Sequence, residues 1–150
     1  MNKEKKALGE QLVEITSDLF AKCGEKEHRH AAKYGVSSVE FRCIRVLLYH
    51  QVLTVNQLAK KMSLSSSRVT RIVDGLVDKK YVLRDPDPVD RRIFNISLSK
   101  DGKAIGQNLV KSYRKIHNGI LSQIPEQDRE KMIQMLKALD TAITRWLENE

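Results

Sequence analysis

The feature that most restricts the fold is a pair of short amphipathic patterns separated by only three residues, Ser63-Leu64-Ser65. Thr54 and Gln57 form a capping-box signature at the start of the first pattern, and Ser65 can cap the second. The residues that recur at helical spacing and should face inward are Leu58, Ala59, Met62, Val69, Ile72, Val73 and Leu76. Two helices joined by so short a break predict a helix-turn-helix.

A β-hairpin is predicted directly after the second of these helices. Residues 81–85 (YVLRD) and 93–99 (IFNISLS) are strand-like, and the PDPVDRR segment between them is typical of a turn. A hairpin that follows a helix-turn-helix is a wing. The pattern therefore predicts a winged helix-turn-helix in the centre of the chain.

Two helical patterns precede this centre. Residues 5–23 carry one apolar stripe, and the polar residues 24–35 either extend that helix or form a loop. Ser37 or Ser38 can then cap another helix, with Glu40 near the capping-box position. The buried face of that helix should consist of Phe41, Ile44, Leu47 and Leu48.

Further helices are predicted after the hairpin. Ser99 can cap a long one, and a last helix follows Pro125. We expect a single chain that is mainly α with a small β-hairpin wing. The winged-helix region would span residues 37–100, flanked by dimerisation helices in residues 1–36 and 101–150.

Apolar stripes near both ends of the chain point to association. A chain of 150 residues does not readily cover all of these side chains by itself. A homodimer is the favoured interpretation, and an intrachain core is the alternative. The predicted dimerisation residues are Leu8, Leu12, Ile15, Leu139, Ile143, Trp146 and Leu147.

The charge of the chain favours a polyanionic partner. The formal net charge is +8, and residues 54–103 hold 11 Lys/Arg against 6 Asp/Glu. Basic surfaces attract phosphate backbones and release their counterions. The B-DNA major groove admits one α-helix. A helix placed there needs short polar side chains to approach closely and arginines to reach bases or phosphates. The residues predicted to bind double-stranded DNA on the second short helix are Ser65, Ser66, Ser67, Arg68, Thr70 and Arg71.

The hairpin tip supplies a second group of candidate DNA-binding residues, Asp90, Arg91 and Arg92. One arginine would enter the neighbouring minor groove, whose negative potential favours a guanidinium. Asp90 would orient that arginine by paired hydrogen bonds. The plainer alternative is that the helix face and the tip are merely solvated.

The segment LTVNQLAKKMSLSSSRVTRIVDGLVDKKYVLRDPDPVDRRIFNISLSKDG resembles the MarR family of multiple-antibiotic-resistance-type regulators. It has the helix-turn-helix, the Asp-x-Arg element of the wing at Asp90 and Arg92, and a Leu-Thr-x-x-Gly-like helix start in which Ser99 replaces threonine. Where the family usually has a glycine closing the recognition helix, this chain has Lys80, which must adopt a left-handed conformation or end the helix differently.

The resemblance implies a homodimer with interlocking first and last helices. Such a dimer binds a pseudo-palindromic operator, with recognition helices ~34–36 Å apart, and usually represses nearby genes. Family members often release DNA when a small-molecule effector binds, while some sense oxidants through a cysteine and others bind zinc.

The cysteines leave the mode of sensing open. Cys23 and Cys43 both suit small buried apolar positions, although Lys22 and Lys26 keep a redox role for Cys23 open. A metal site is not expected, and no cofactor is. The candidate zinc ligands are Cys23, His28 and His30, with Glu25 and Glu27 beside them, and their irregular spacing is more typical of a solvated face.

Catalysis has no support in the sequence. It contains no Gly-rich phosphate loop, no His-Glu-x-x-His helix and no Gly-x-Ser-x-Gly elbow. A winged-helix module that binds proteins instead of DNA is an alternative, as is a redox- or zinc-responsive regulator. No run of eighteen apolar residues and no apolar leader is present, so we expect a cytoplasmic protein without a membrane partner.

Overall fold

The computed structural model describes the backbone of residues 2–149 and the side chains of residues 7–149, so Met1 and Glu150, the ends of the predicted ranges, lie outside it. The chain divides into two compact units, Met1–Val110 and Lys111–Glu150. The elements in chain order are α1 (Asn2–Ala32), α2 (Ser38–His50), β1 (Val52–Thr54), α3 (Val55–Met62), α4 (Ser66–Asp78), β2 (Val82–Pro86), β3 (Phe94–Leu98), α5 (Lys100–Ser122) and α6 (Glu126–Glu148).

The mainly α fold with a hairpin wing is confirmed, but the sheet has one strand more than the sequence predicted. β2 and β3 pair antiparallel, with Val82 opposite Leu98. β1 pairs with the other edge of β3, with Leu53 opposite Ile96, which gives the strand order β1-β3-β2. Because β1 has only three residues, it is too short to show an alternating pattern.

The core of the first unit is built around α2, which packs against α1, α3, α4 and β3. The inward faces predicted for α2, α3 and α4 are buried as expected, except that Leu48 is half-buried. Each fully buried large side chain contributes about 1.5–3 kcal/mol to folding. The largest of them are Phe41, Ile44, Leu47, Leu58, Met62, Leu76, Ile96 and Leu109.

The predicted helix starts are confirmed by their hydrogen bonds. Capping boxes are present at Ser37 with Glu40 and at Thr54 with Gln57. The Ser65 side chain accepts from the third residue of α4. The polar segment after residue 23 extends α1 as far as Ala32. None of the helices described in residues 2–149 has the length and apolar character needed to cross a membrane.

Lys80 closes the recognition helix where the family usually has glycine. Its φ of 62° is left-handed. The Lys80 N–H donates to the Val77 carbonyl at 2.8 Å, and the Tyr81 N–H donates to the Leu76 carbonyl at 2.9 Å. The Ser99 hydroxyl then donates to the Lys80 carbonyl at 2.7 Å, which fixes the turn against the start of α5. Lys80 therefore adopts the left-handed conformation, which is the first of the two alternatives that the sequence left open.

Replacing Gly102 by alanine is expected to destabilise the chain, because the added Cβ would lie 1.9 Å from the Tyr81 carbonyl oxygen. We expect the free energy of unfolding to fall by about 2–3 kcal/mol. A Gly119→Ala variant is the control in the same helix, since nothing lies within 4 Å of its added Cβ. It should be neutral or more stable by about 0.5–1 kcal/mol. Urea denaturation measures both, and equal stability of the two variants would contradict the close approach.

Candidate nucleic-acid interface

One side of α4 is buried and the other faces solvent. Val69, Val73 and Leu76 are fully buried, and Ile72 nearly so. The polar residues between them lie outside the core, as predicted. Ser66, Ser67, Arg68 and Arg71 are exposed, and Thr70 is half-buried. The structure therefore gathers the predicted set on the accessible side of the N-terminal half of α4.

The hydroxyl groups of this surface are held by local hydrogen bonds. The Ser66 hydroxyl donates to Asn56 Oδ1 at 2.8 Å, and the Thr70 hydroxyl donates to the Ser66 carbonyl at 2.9 Å. Ser65 Oγ and Ser67 Oγ lie 3.2 Å apart. A hydroxyl has one donor and two acceptor lone pairs. In this conformation, Ser66 and Thr70 therefore offer acceptors to a ligand.

Four exposed guanidinium groups are available to a ligand. Within residues 7–149, no acidic side chain pairs with any of them; they belong to Arg68, Arg71, Arg91 and Arg92. Thr70 of α4 and Arg92 of the wing line one cleft. The structure thus brings one residue of the recognition helix and one of the wing together, whereas the other predicted residues lie outside that cleft.

The turn of the wing is organised by two carboxylates, and Asp90 acts differently from the sequence prediction. Asp90 Oδ1 accepts from the backbone N–H of Arg92 at 3.0 Å and does not hold a guanidinium. Asp87, which the sequence analysis did not single out, accepts from the N–H groups of Val89 and Asp90. These bonds and one from the Asn95 side chain lower the pKa of Asp87. A carboxylate in a tight turn is closest to the backbone of the next residues, which explains why Asp90 binds a backbone N–H and not a guanidinium.

An ion pair fixes the C-terminal end of α4 against α2. Lys79 Nζ donates to Glu40 Oε2 at 2.7 Å and Oε1 at 2.9 Å, and also to the Gly35 carbonyl at 3.0 Å. Glu40 accepts from the Ser37 N–H at 2.7 Å as well. Burial raises the pKa of Glu40, but its bonds to Lys79 and Ser37 and the nearby positive charge outweigh burial and lower it. Sequence reasoning missed this pair because its members are 39 residues apart.

A second ion pair joins the wing to α4. Arg84 Nη1 on β2 donates to Asp74 Oδ1 at 3.1 Å. The Arg84 Cζ atom also lies 4.4 Å from the centroid of the Phe94 ring on β3. These contacts hold the guanidinium between the helix and the hairpin. Nothing in the local sequence pattern singled out Arg84.

Comparison with known proteins identifies a matching family and several relatives. A family model described as MarR family matches residues 36–94. The HTH-type transcriptional regulator MhqR of Bacillus subtilis (strain 168) is 23% identical over 85% of this chain and 88% of its own length. The HTH-type transcriptional repressor MdtR of the same organism is 26% identical over 73% of this chain and 71% of its own length.

Residues 36–94 thus match the MarR family, and the relatives support a MarR-family regulator. Solved structures of MarR-type proteins share the fold of this chain. The S. aureus MepR–DNA complex has a TM-score of 0.73 and 21% identity, covering 86% of this chain and 95% of that one. A MarR mutant from E. coli complexed with operator DNA has a TM-score of 0.73 and 20% identity, covering 86% and 93%.

The two cysteines of the chain differ in environment. Cys43 is buried, as the sequence predicted, and burial, together with the charge of Glu40, raises its pKa to about 12. Its thiol is therefore protonated and unreactive at neutral pH. Cys23 was also expected to be buried, but it is exposed. The apolar stripe to which it belongs is not covered in the first unit.

The candidate zinc ligands are not brought together. Cys23 and His28 are exposed, whereas His30 is buried and its Nε2–H donates to the Leu109 carbonyl at 3.1 Å. Across residues 7–149, no three His, Cys, Asp or Glu side chains are grouped so that they could hold a metal ion.

The residues predicted for dimerisation are largely uncovered within their own units. On α1, Leu8, Leu12 and Ile15 are exposed. On α6, Ile143, Trp146 and Leu147 are exposed, while Leu139 is half-buried. Large apolar side chains at this spacing form a continuous stripe on each helix. Contiguous exposed apolar surface of this kind is typical of an interface.

The Glu40–Lys79 pair is expected to make stability depend on pH. Because the folded state lowers the pKa of Glu40 below 4.5, the stabilisation is fully present above pH 4.5 and is lost as pH falls further. A Glu40→Gln variant should be less stable than wild type by about 1–3 kcal/mol at pH 7, and the gap should narrow below pH 4.5. Chemical denaturation at several pH values measures the gap. A gap that stays constant down to pH 3 would contradict the assignment.

Proposed function

We propose that this MarR-family chain binds a pseudo-palindromic DNA operator as a homodimer and represses nearby genes in the bacterial cytoplasm. An effector would release it from DNA. The observation that carries the proposal is the polar, arginine-bearing surface of α4 beside a wing with two further exposed arginines, Arg91 and Arg92. Both elements are anchored by the same buried core.

The side-chain chemistry of this surface suits duplex DNA. Exposed arginines such as Arg68 and Arg71 can bind guanine edges or phosphates through paired N–H donors. Ser66 and Thr70 offer acceptors, which complement the amino groups of adenine and cytosine in the major groove. Arg92 on the wing would reach the adjacent minor groove. We assign the DNA contacts to these residues as a set and not each residue to one base. The set is Ser65, Ser66, Ser67, Arg68, Thr70, Arg71, Asp90, Arg91 and Arg92.

The apolar stripes of α1 and α6 support the homodimer. They would be buried against a second copy, and two-fold symmetry would present two recognition helices to two half-sites about 34–36 Å apart. Repression is supported by the name of the relative MdtR, a transcriptional repressor. Release by a small molecule is what the resemblance to the family implies.

Alanine in place of Arg92 should weaken operator binding without changing helical content or dimerisation, because the wing would lose its groove contact.

Alanine in place of Arg71 should reduce the free energy of operator binding by about 1–3 kcal/mol. If Arg71 reads a base, that loss is confined to the operator, and if it binds a phosphate, it affects all duplexes alike. The probe is a duplex selected from a random pool, titrated at several salt concentrations. Phenol, hydrogen peroxide and zinc are then added to test release.

The control variant for these titrations is Arg29→Ala, since Arg29 is exposed but pairs with Glu25 on α1. It should bind like wild type. Affinity for no duplex, or affinity that does not fall steeply with salt, would overturn the proposed function.

Glutamate in place of Trp146 should dissociate the dimer, because a charge would enter the apolar interface. Trp146 is 60% exposed in the single chain, so its replacement should leave the fold intact. Val89→Glu is the control, since Val89 is 94% exposed but lies on the wing. Light scattering should give twice 17.2 kDa for wild type and the control, and 17.2 kDa for Trp146→Glu. A monomeric wild type, or a dimeric Trp146→Glu, would refute the interface.

A further inference from the structure

A cleft lies where α3, α4 and the wing meet. Its volume is about 280 Å³, and its lining includes Thr54, Asn56, Thr70, Arg84, Arg92 and Phe94. Its lining includes two arginines and no carboxylate. The cleft is therefore a positively charged recess with both polar and apolar walls, and none of its lining side chains belongs to the buried core.

The position of the cleft matters once α4 and the wing are placed on DNA. A major groove and the minor groove beside it are separated by one sugar-phosphate strand. If α4 enters the first groove and the wing enters the second, that strand must pass between them. The cleft is the recess that the strand would meet.

We propose that this cleft seats a phosphodiester group of the strand between the two grooves, bound by Arg84 and Asn56 together with Arg92. The inference rests on the proposed DNA-binding function and adds two residues to it. Neither Arg84 nor Asn56 belongs to the set that the sequence predicted.

Arg84 is oriented for this role and keeps donors available for it. A guanidinium has five N–H donors. Arg84 Nη1 donates to Asp74 Oδ1 at 3.1 Å, and the group lies against the Phe94 ring with Cζ 4.4 Å from its centroid. These two contacts fix the guanidinium at the cleft. The other donors can bind phosphate oxygens.

Asn56 lines the cleft from α3 and is oriented as well. Its Oδ1 accepts from the Ser66 hydroxyl at 2.8 Å, so the side-chain amide is held at the start of α3. The two N–H donors of that amide remain for a phosphate oxygen. A neutral donor from α3 and a guanidinium from β2 match an anion that carries two free oxygens.

Arg84 could instead act only by joining the wing to α4, and one pair of variants separates the two roles. Arg84→Gln removes the guanidinium and the ion pair. Asp74→Asn removes the ion pair but keeps the guanidinium. If Arg84 binds a phosphate, only Arg84→Gln weakens DNA binding. If Arg84 is merely structural, both variants weaken DNA binding equally.

The experiment titrates the selected operator and an unrelated duplex over a range of salt concentrations, with wild type and three variants. Arg84→Gln should bind both duplexes about tenfold more weakly. The plot of log K against log salt should become shallower by about 0.9, which is the value for one phosphate contact. Asp74→Asn should bind at least as tightly as wild type. Asn56→Asp keeps the acceptor for Ser66 but repels a phosphate, and should bind both duplexes at least tenfold more weakly.

A scan of neutral methylphosphonate substitutions along the operator locates the contact. One position in each half-site should weaken wild type and have no further effect on Arg84→Gln. Equal weakening of Arg84→Gln and Asp74→Asn, or an unchanged salt slope, would overturn the phosphate site while wild-type binding upheld the proposed function. A wild type that binds no duplex would overturn both. Circular dichroism shows that each variant is folded.

Discussion

Burial of one face of α4 is the constraint on which the candidate interface depends. Because Val69, Val73 and Leu76 are fixed in the core, the rotation of the helix about its axis is fixed as well. A helix turns through one circle in 3.6 residues, so the side chains between these anchors must point outward. The Ser65 cap and the Lys79 ion pair then hold the two ends. The polar side chains are thus presented before any ligand binds, which reduces the entropy lost on binding.

The three-stranded sheet extends this order from α4 to the rest of the interface. β3 pairs with the wing strand β2 on one edge and with β1 on the other. β1 ends at Thr54, whose side chain also caps α3. The sheet therefore links the wing directly to the first residue of the helix-turn-helix. The Arg84–Asp74 ion pair closes the same arrangement from the side of α4. A change in the position of the wing would therefore also affect α3 and α4.

Sequence reasoning predicted the parts of this arrangement that are encoded locally. The capping pairs, the buried stripe of α4 and the hairpin turn each depend on residues within a few positions of one another. β1 was missed because its pairing depends on Ile96, far along the chain from Leu53. The Glu40–Lys79 pair was missed for the same reason. Asp90 was placed in the correct turn with the wrong partner, since residue type does not distinguish a backbone N–H from a guanidinium.

In the proposed dimer, apolar surface and positive charge would have separate roles, the first in association and the second in DNA binding. Two chains of net charge +8 repel each other, so their association needs an interface that buries apolar area without adding like charges. The stripes on α1 and α6 have that character, whereas the basic residues are most concentrated in the winged-helix region. Once dimerised, each recognition helix raises the effective concentration of the other at its half-site. The exposed apolar stripes and the basic winged-helix region are therefore complementary requirements of the proposed DNA-binding dimer.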